Sequence, residues 1–457
     1  MTLPDRFRFS SLGQGDVSKL SVLMIAAFID MVGGLMVFPL FPFYATKFGA
    51  SGFEVSLLIT AFAVLQLASA PFWGRISDKY GRKPALLAGL AASGIAYVVF
   101  AFSNSYAMLL WCRIVQGAGG GTTGVIQAYV ADAVEPKNRA RGLGWLSSAT
   151  NLGVVLGPVL GAQAMHHLGE HGPGLVAAGL CTINIIFALA FLTERQSAHA
   201  REKSKSARSP MQIVFRVFEH PGERPSRLIW MYAICMAAFY GINPTLSLYL
   251  KDYWGVTALT IGYFFAYIGA ISVVVRVFLV GPVVDRLGEV RTARMGTALL
   301  ALGILLVVLV PPLTHPGTPP TLAEFEEGPG GVLVRGFVAY LPLAAVVALI
   351  PLGTAFNFPA TTGLLSRVVG EHERGLYMGV QQTYAGIGRA LYPLYAGWAW
   401  DHFLPIVPFG TSALLVASTI WLGYGLTKYE GHTEEIPIEE AAAEAATEPS
   451  ALAEERR

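Results

Sequence analysis

The chain has 457 residues, of which 54% are hydrophobic and only 14% charged, and its mean hydropathy is +0.53. A soluble domain carries about 25% charged residues, so this chain lacks the charge to cover a water-facing globule. Its formal net charge of +2 says nothing about partners, because the charges are sorted by loop; no nucleic-acid partner is expected. Fifty glycines and twenty-seven prolines suit membrane helices, where both residues are commoner than in soluble ones. The three cysteines, Cys112, Cys181 and Cys235, fall inside apolar runs. Their odd number argues against a disulfide framework, and they are read as packing residues.

The polar segment 1–19 precedes a first apolar run that is too long, and too interrupted by Asp30, for a signal peptide; no cleavage is expected. A membrane-spanning helix needs about 20 mostly apolar residues. By that measure twelve spans are expected, at roughly 20–45, 54–74, 84–103, 107–131, 142–165 and 174–193, then 227–250, 259–283, 292–312, 334–357, 375–398 and 404–427. Spans 10 and 11 are interrupted by Pro351, Pro359 and Pro393.

Alternate loops differ in charge. Arg75, Lys79, Arg82 and Lys83 follow span 2; Lys137, Arg139 and Arg141 follow span 4; Arg286, Arg291 and Arg294 follow span 8. The opposite loops hold Lys47, Lys251 and acidic residues such as Glu324, Glu326 and Glu327. Cytoplasmic loops carry the excess of Lys and Arg, so both termini are expected in the cytoplasm, in a plasma membrane such as the bacterial inner membrane. The polar stretch 195–226 reads as a cytoplasmic linker with a short surface helix at 210–219, and 428–457 as an acidic, disordered tail. The expected division is therefore 1–19, a six-helix bundle at 20–194, the linker, a second bundle at 227–427, and the tail.

The two halves share sequence. Gly74-Arg75-Ile76-Ser77-Asp78-Lys79-Tyr80-Gly81-Arg82-Lys83-Pro84 is a charged stretch between apolar runs, and Gly281-Pro282-Val283-Val284-Asp285-Arg286-Leu287-Gly288 repeats its Gly, Asp and Gly at the same spacing. Arg141-Gly142-Leu143 recurs as Arg374-Gly375-Leu376, which puts Gly153 in register with Gly386. Parallel repeats of this kind build two-bundle transporters. Span 5 holds Gly144, Gly153, Gly157, Pro158 and Gly161. Glycines four apart share one helix face and admit a neighbouring backbone, while Pro158 removes a helix hydrogen bond; a packing seam and a gating role both fit.

Ionisable residues inside spans are costly and functional by default. Asp30 lies about 16 Å into span 1, and Arg113 about 9 Å into span 4 from the other side, at about 1.5 Å rise per residue. Their depths are close enough for an ion pair. Burial and a nearby cation act oppositely on a carboxylate's proton affinity, so Asp30 reads as a proton carrier, a static partner of Arg113, or a substrate contact. Arg276, near the basic end of span 8, is expected to snorkel. Arg389 lies mid-span near Gln381 and Gln382. Gln116, Gln127, Asn151, Asn243, Asn357, Gln381 and Arg389 are the candidates for a substrate cavity, although such polar residues more often bond between helices. Tyr240, Tyr263, Phe264 and Phe356 are candidate aromatic lining.

Two enzyme-like spellings are discounted. His167-Leu168-Gly169-Glu170-His171 fits H-x-x-E-H but sits in a glycine-rich loop. Gly119-x-Gly121-x-x-Gly124 spells a dinucleotide fingerprint without a preceding strand. No enzyme activity, metal or cofactor is expected.

The span 5 pattern resembles the antiporter motif of the major facilitator drug exporters, with Ala164 where that family usually ends on glycine. The Gly74–Pro84 stretch resembles the family's loop between helices 2 and 3, Arg113-Ile114-Val115-Gln116-Gly117 its helix 4 motif, and Pro39-Leu40-Phe41-Pro42 its helix 1 signature. Helix 1, with Asp30 and the proline pair, looks most like the tetracycline-resistance exporters. The resemblance implies an all-α membrane fold of twelve helices in two six-helix halves, alternating access, and proton-coupled export of an amphipathic drug-like molecule by a monomer in the bilayer. It also implies a latch, in which Asp78 meets the start of helix 11 near Gly375 and Arg82 engages Asp132, framed by Gly74 and Gly81. The second copy, with Asp285 and Gly288, has Glu289 and Val290 where Arg82 and Lys83 stand, and so should latch more weakly. A metabolite facilitator or symporter of the same fold, and a receptor that transports nothing, are the alternatives.

Overall fold

The computed structural model describes residues 14–133, 139–192, 210–310, 331–370 and 373–423, and every regular element among them is helical. Span 1 is α1 (Gln14–Val37), a 3-10 turn (Phe38–Leu40) and α2 (Phe41–Lys47). Pro39 and Pro42 are the second residues of the last two pieces, within the first turn, where a missing N–H costs no helix bond. Then come α3 (Gly52–Tyr80), α4 (Arg82–Ala101), α5 (Tyr106–Gly120), α6 (Thr123–Ala133), α7 (Arg139–Leu168) and α8 (Gly172–Phe191). After the short α9 (Pro210–Glu219) follow α10 (Arg224–Trp254), α11 (Ile261–Val274), a π turn (Val275–Leu279), α12 (Val280–Leu287), α13 (Glu289–Val307), α14 (Gly331–Val368), α15 (Arg374–His402) and α16 (Ile406–Leu422).

Nine of the described helical segments are long and apolar enough to cross a membrane. The other three expected spans are helical but different in detail. Span 4 breaks into α5 and α6 at Gly121-Thr122, α15 is more polar, and α16 is shorter. The prolines do not break spans 10 and 11: α14 runs through Pro342, Pro351 and Pro359, and α15 through Pro393. Membrane helices tolerate internal proline because neighbouring helices re-satisfy the freed carbonyls. The tail lies outside the described residues, as does most of the linker, whose helix is α9.

The charged stretch expected as a loop is mostly helix. Residues 74–80 form the last turns of α3, and only Gly81 stands outside, at φ +105°, before α4 begins. Gly288 does the same between α12 and α13 at φ +78°. Glycine is the residue that adopts this backbone without strain, so both copies of the repeat turn on one glycine.

The packing differs between the two ends of the bundle. We call the end bearing Arg75, Lys79, Arg286 and α9 the basic face, and its opposite the far face. At the far face and mid-depth, one hydrophobic core joins both halves of the chain, from Phe41, Val55, Phe100 and Leu109 to Trp254, Ile304, Leu343 and Phe409. Towards the basic face the core divides. Leu20, Leu23, Leu86, Ile126 and Leu146 form a cluster of the first half alone, and Ile213, Leu228, Val290, Leu364 and Tyr377 one of the second half alone.

Candidate functional site

The contacts between halves explain this asymmetry. The α3 helix packs along α15, and α7 along α11. At the far face, Asp401 at the end of α15 caps the start of α3: its carboxylate accepts from the amides of Gly52 at 2.7 Å and Phe53 at 2.8 Å. Those amides have no partner inside the helix, and the helix N-terminus favours a negative charge. Gly397 lies so close that a Cβ there would collide with Ser56 and the Gly52 carbonyl. On the other flank, Gly262 of α11 sits against the Pro158 carbonyl, and Gln163 donates to the Tyr263 hydroxyl at 2.6 Å. Lys251 reaches Thr46 at 2.9 Å. At the basic face the corresponding glycines, Gly74, Gly144, Gly281 and Gly375, have open space where a side chain would start. Spans 2 and 11, and 5 and 8, are therefore sealed at one end and parted at the other.

Gly153, Gly157 and Gly161 of α7 do not face the other half. Gly153 packs on Met31, Gly157 on Val32 and Leu35, and Gly161 on Met36, all in α1. Only the Pro158 carbonyl and Ala162, on another side of the helix, meet Gly262. The seam thus binds α7 to α1, while the proline belongs to the seal.

The basic face carries two ion-pair clusters in corresponding places. Arg82, at the start of α4, pairs with Asp132 of α6 at 3.2 Å and Asp78 at 2.8 Å, and donates to Ser77 at 2.6 Å. Asp78 is otherwise exposed and turned to Arg82, not to Gly375. In the second half Glu289, at the start of α13, pairs with Arg367 at the end of α14 at 3.0 Å. The second copy, expected to latch more weakly because Glu289 and Val290 stand at the places of Arg82 and Lys83, thus carries an ion pair there with its charges exchanged. Asp285 gains no equivalent of the Asp78–Arg82 contact, since the residue four further on is Glu289, of like charge.

At mid-depth the first half holds Asp30 and Arg113, which do not pair. Tyr97 of α4 neighbours both, in electrostatic contact with each and with Gln116. Gly33 and Gly34 make room for it, with the Tyr97 ring and hydroxyl under 4 Å from where their side chains would begin. Rise along a helix sets the depth of a residue but not its lateral neighbours, and the two residues share Tyr97 as a neighbour without meeting. Arg113 is 2% exposed. It donates to Gln116 Oε1 at 2.7 Å and lies over the Phe41 ring at 3.4 Å from its centroid, leaving Nε and Nη2 without partners. Asp30 is half-buried and has no hydrogen bond or ion pair to any described residue.

The second half presents Arg276 and Arg389. Arg276 does not snorkel. The π turn at Val275–Leu279 holds it half-buried, with Nη1 3.5 Å from Asn151 Oδ1 of α7 and Nε unpaired. Arg389 lies 5.4 Å from the Tyr240 ring centroid, its Nε also unpaired. Tyr232 is in electrostatic contact with both arginines and accepts from the exposed Gln382 at 3.3 Å.

Of the other cavity candidates, Asn357 and Gln381 are fully buried. Asn357 bonds Thr297 at 2.6 Å, and Gln381 accepts from Thr362 at 3.3 Å; both belong to helix seams. Asn243 donates to the Phe239 carbonyl of its own helix, and Gln127 is exposed on α6. Phe356 is buried beside Val275, and Tyr263 belongs to the far-face seal. Glu170 pairs with Lys47, and His171 meets the Ala101 carbonyl. Gly119 packs on Gly89 and Ala92, and Gly121 on Ser69 and Trp73. Sequence reasoning missed Tyr97, Tyr232, Asp401 and the Glu289–Arg367 pair. Only the last left a signal, as a charge in the repeat at the place of Arg82.

Residues 23–323 match the model of the Major Facilitator Superfamily. The chain belongs to that superfamily. It is 29% identical to the class C tetracycline resistance protein of Escherichia coli, over 79% of this chain and 84% of that protein. It is 24% identical to Multidrug resistance protein 2 of Bacillus subtilis, over 89% and 93%. Among solved structures it is similar to the human organic anion transporter MFSD10, with a TM-score of 0.56 and 23% identity over 90% of this chain and all of that one. This major facilitator protein is thus an integral membrane transporter and not an enzyme, and its curated relatives are tetracycline and multidrug efflux proteins.

Proposed function

We propose that the chain exports amphipathic drug-like molecules in exchange for protons, with Asp30 as the proton carrier. The observation that carries this reading is a carboxylate deep in span 1 with no partner, one residue from the seam that fixes α1 to α7. A permanently charged group in that position is costly, whereas one that gains and loses a proton is suited to a cycle. The relatives, tetracycline and multidrug resistance proteins, support the substrate class. The basic face is read as cytoplasmic, with both termini on that side, in a bacterial inner membrane. The chain acts as a monomer of twelve spans, in bundles at 20–194 and 227–427 joined by the linker 195–226.

In this reading the structure is the cytoplasm-open state. Asp78, free of helix 11, is the part of the latch that engages near Gly375 when the basic face closes, while Arg82–Asp132 and Glu289–Arg367 brace each bundle. At 100 mV, inside negative, each inward proton contributes about 2.3 kcal/mol. The test is drug uptake by everted vesicles under an imposed pH gradient. Wild-type protein accumulates drug and Asp30→Asn does not. Proton-driven uptake unchanged in Asp30→Asn removes the coupling assignment, and no pH response in the wild type removes antiport.

A further inference from the structure

The geometry points to Arg276 and Arg389 as a binding site for the anionic group of the transported molecule, a carboxylate, sulfonate or phosphate on an aromatic body. This deepens, and rests on, the reading of the chain as a transporter of amphipathic compounds.

Each guanidinium lies at mid-depth with a buried Nε that has no acceptor, and neither makes an ion pair with a described Asp or Glu. The ionisable groups in electrostatic contact with them are the tyrosines Tyr232 and Tyr240. Two cations that share tyrosine neighbours within a membrane protein and have no counter-charge among the described residues are unfavourable unless something of opposite charge joins them. Arginine presents a planar fork that binds carboxylate and phosphate oxygens two at a time. Tyr240 beneath Arg389 offers a ring on which an aromatic ligand body can lie. Arg276 stands on a π turn, a local unwinding that occurs mostly at functional sites.

The site is also reachable and shared. Gln382 is exposed although it lies at membrane depth, and the halves are parted on the basic side. Asn151 comes from the first half, at the limit of hydrogen-bond distance from Arg276, so an anion that takes Arg276 replaces a contact between the halves. Arg113 is a different case. Its free nitrogens are enclosed by Phe38, Phe41 and Phe62 and offer no entry.

The test compares two dyes of similar aromatic shape and opposite charge, fluorescein and rhodamine 6G, by fluorescence anisotropy on the purified full-length protein in detergent. Wild-type protein is expected to bind fluorescein at least tenfold more tightly than rhodamine 6G. Arg276→Gln and Arg389→Gln should each weaken fluorescein at least tenfold while leaving rhodamine 6G within twofold or improving it, and Arg389→Lys should recover part of the loss. An unchanged unfolding midpoint shows that the variants are folded. Should a variant unfold, sulfate competition against fluorescein on the wild type answers the same question, and failure to compete overturns the site. Absence of fluorescein binding, a preference for rhodamine 6G, or glutamine variants within twofold of wild type would also overturn it. Binding in detergent needs no gradient, so fluorescein binding retained in Asp30→Asn separates this site from the coupling reading. Loss of pH-driven uptake with fluorescein binding intact removes antiport and leaves the anion site standing.

Discussion

The far face and the basic face are built from the same pairs of helices, yet one is fused and the other divided. At the far face, glycine lets backbones touch at Gly397 and Gly262, and the Asp401 carboxylate closes the start of α3. At the basic face the glycines in corresponding spans look onto open space, and charge is spent within each half, on Arg82–Asp132 and Glu289–Arg367. Contact at one end joins the halves, while contact at the other holds each half rigid. A molecule so arranged can exchange which end is fused without repacking either bundle, because packed interfaces are bistable and not continuously deformable.

The comparison is broken most strongly by adding atoms at the seal. Gly397→Ala puts a methyl group into Ser56 and the Gly52 carbonyl; overpacking of this kind costs about 1–3 kcal/mol. The expected outcome is faster amide exchange at the start of α3 and a large loss of drug accumulation, with Gly179→Ala, on the exposed side of α8 where space is open, as the silent control. Next is the buried brace. A double-mutant cycle on Arg82→Gln and Asp132→Asn, read by thermal unfolding, should give a coupling of about 1–3 kcal/mol, since the Arg82 side chain is almost wholly buried.

Asp401→Asn keeps the size of the cap and loses its charge. About 1 kcal/mol should be lost, visible as roughly fivefold faster exchange at Gly52 and Phe53 with the rest of α3 unchanged. The smallest effect is expected at Glu289 and Arg367, because Arg367 is 60% exposed. There the exchanged pair Glu289→Arg with Arg367→Glu should recover the stability of the wild type, within the 0–1 kcal/mol of an exposed bridge. Failure of the exchange to restore it would mean that the pair depends on its surroundings and is not a mirror of Arg82–Asp132.

How much of this was legible in the sequence depends on what kind of information each feature needs. Length and apolarity set the spans, and the repeated Gly-x-x-x-Asp-x-x-Gly located both helix junctions, because these are one-dimensional properties. The meeting of Arg82 and Asp132 followed from the family motif. The rotation of each helix about its axis did not follow. A segment apolar on most sides has no polar stripe to fix its phase, so the direction faced by Gly157, Asn357 or Gln381 was open. Asp30 and Arg113 looked compatible by depth, but the ring of Tyr97 comes from a third helix. The capping of α3 by Asp401 joins residues almost 350 positions apart, with nothing local to announce it. Arg276 reads as a snorkelling residue in sequence because the π turn that shifts its register is not written in hydropathy.

The three cysteines, first noted as packing residues, lie wholly inside the bundle, Cys112 and Cys181 in the first half and Cys235 in the second. The protein therefore presents no thiol at its surface. A single thiol placed at Gly144 or Gly281 would be the one that a water-soluble maleimide meets, and its rate of labelling would report the opening and closing of the basic face in a chain from which nothing had to be removed.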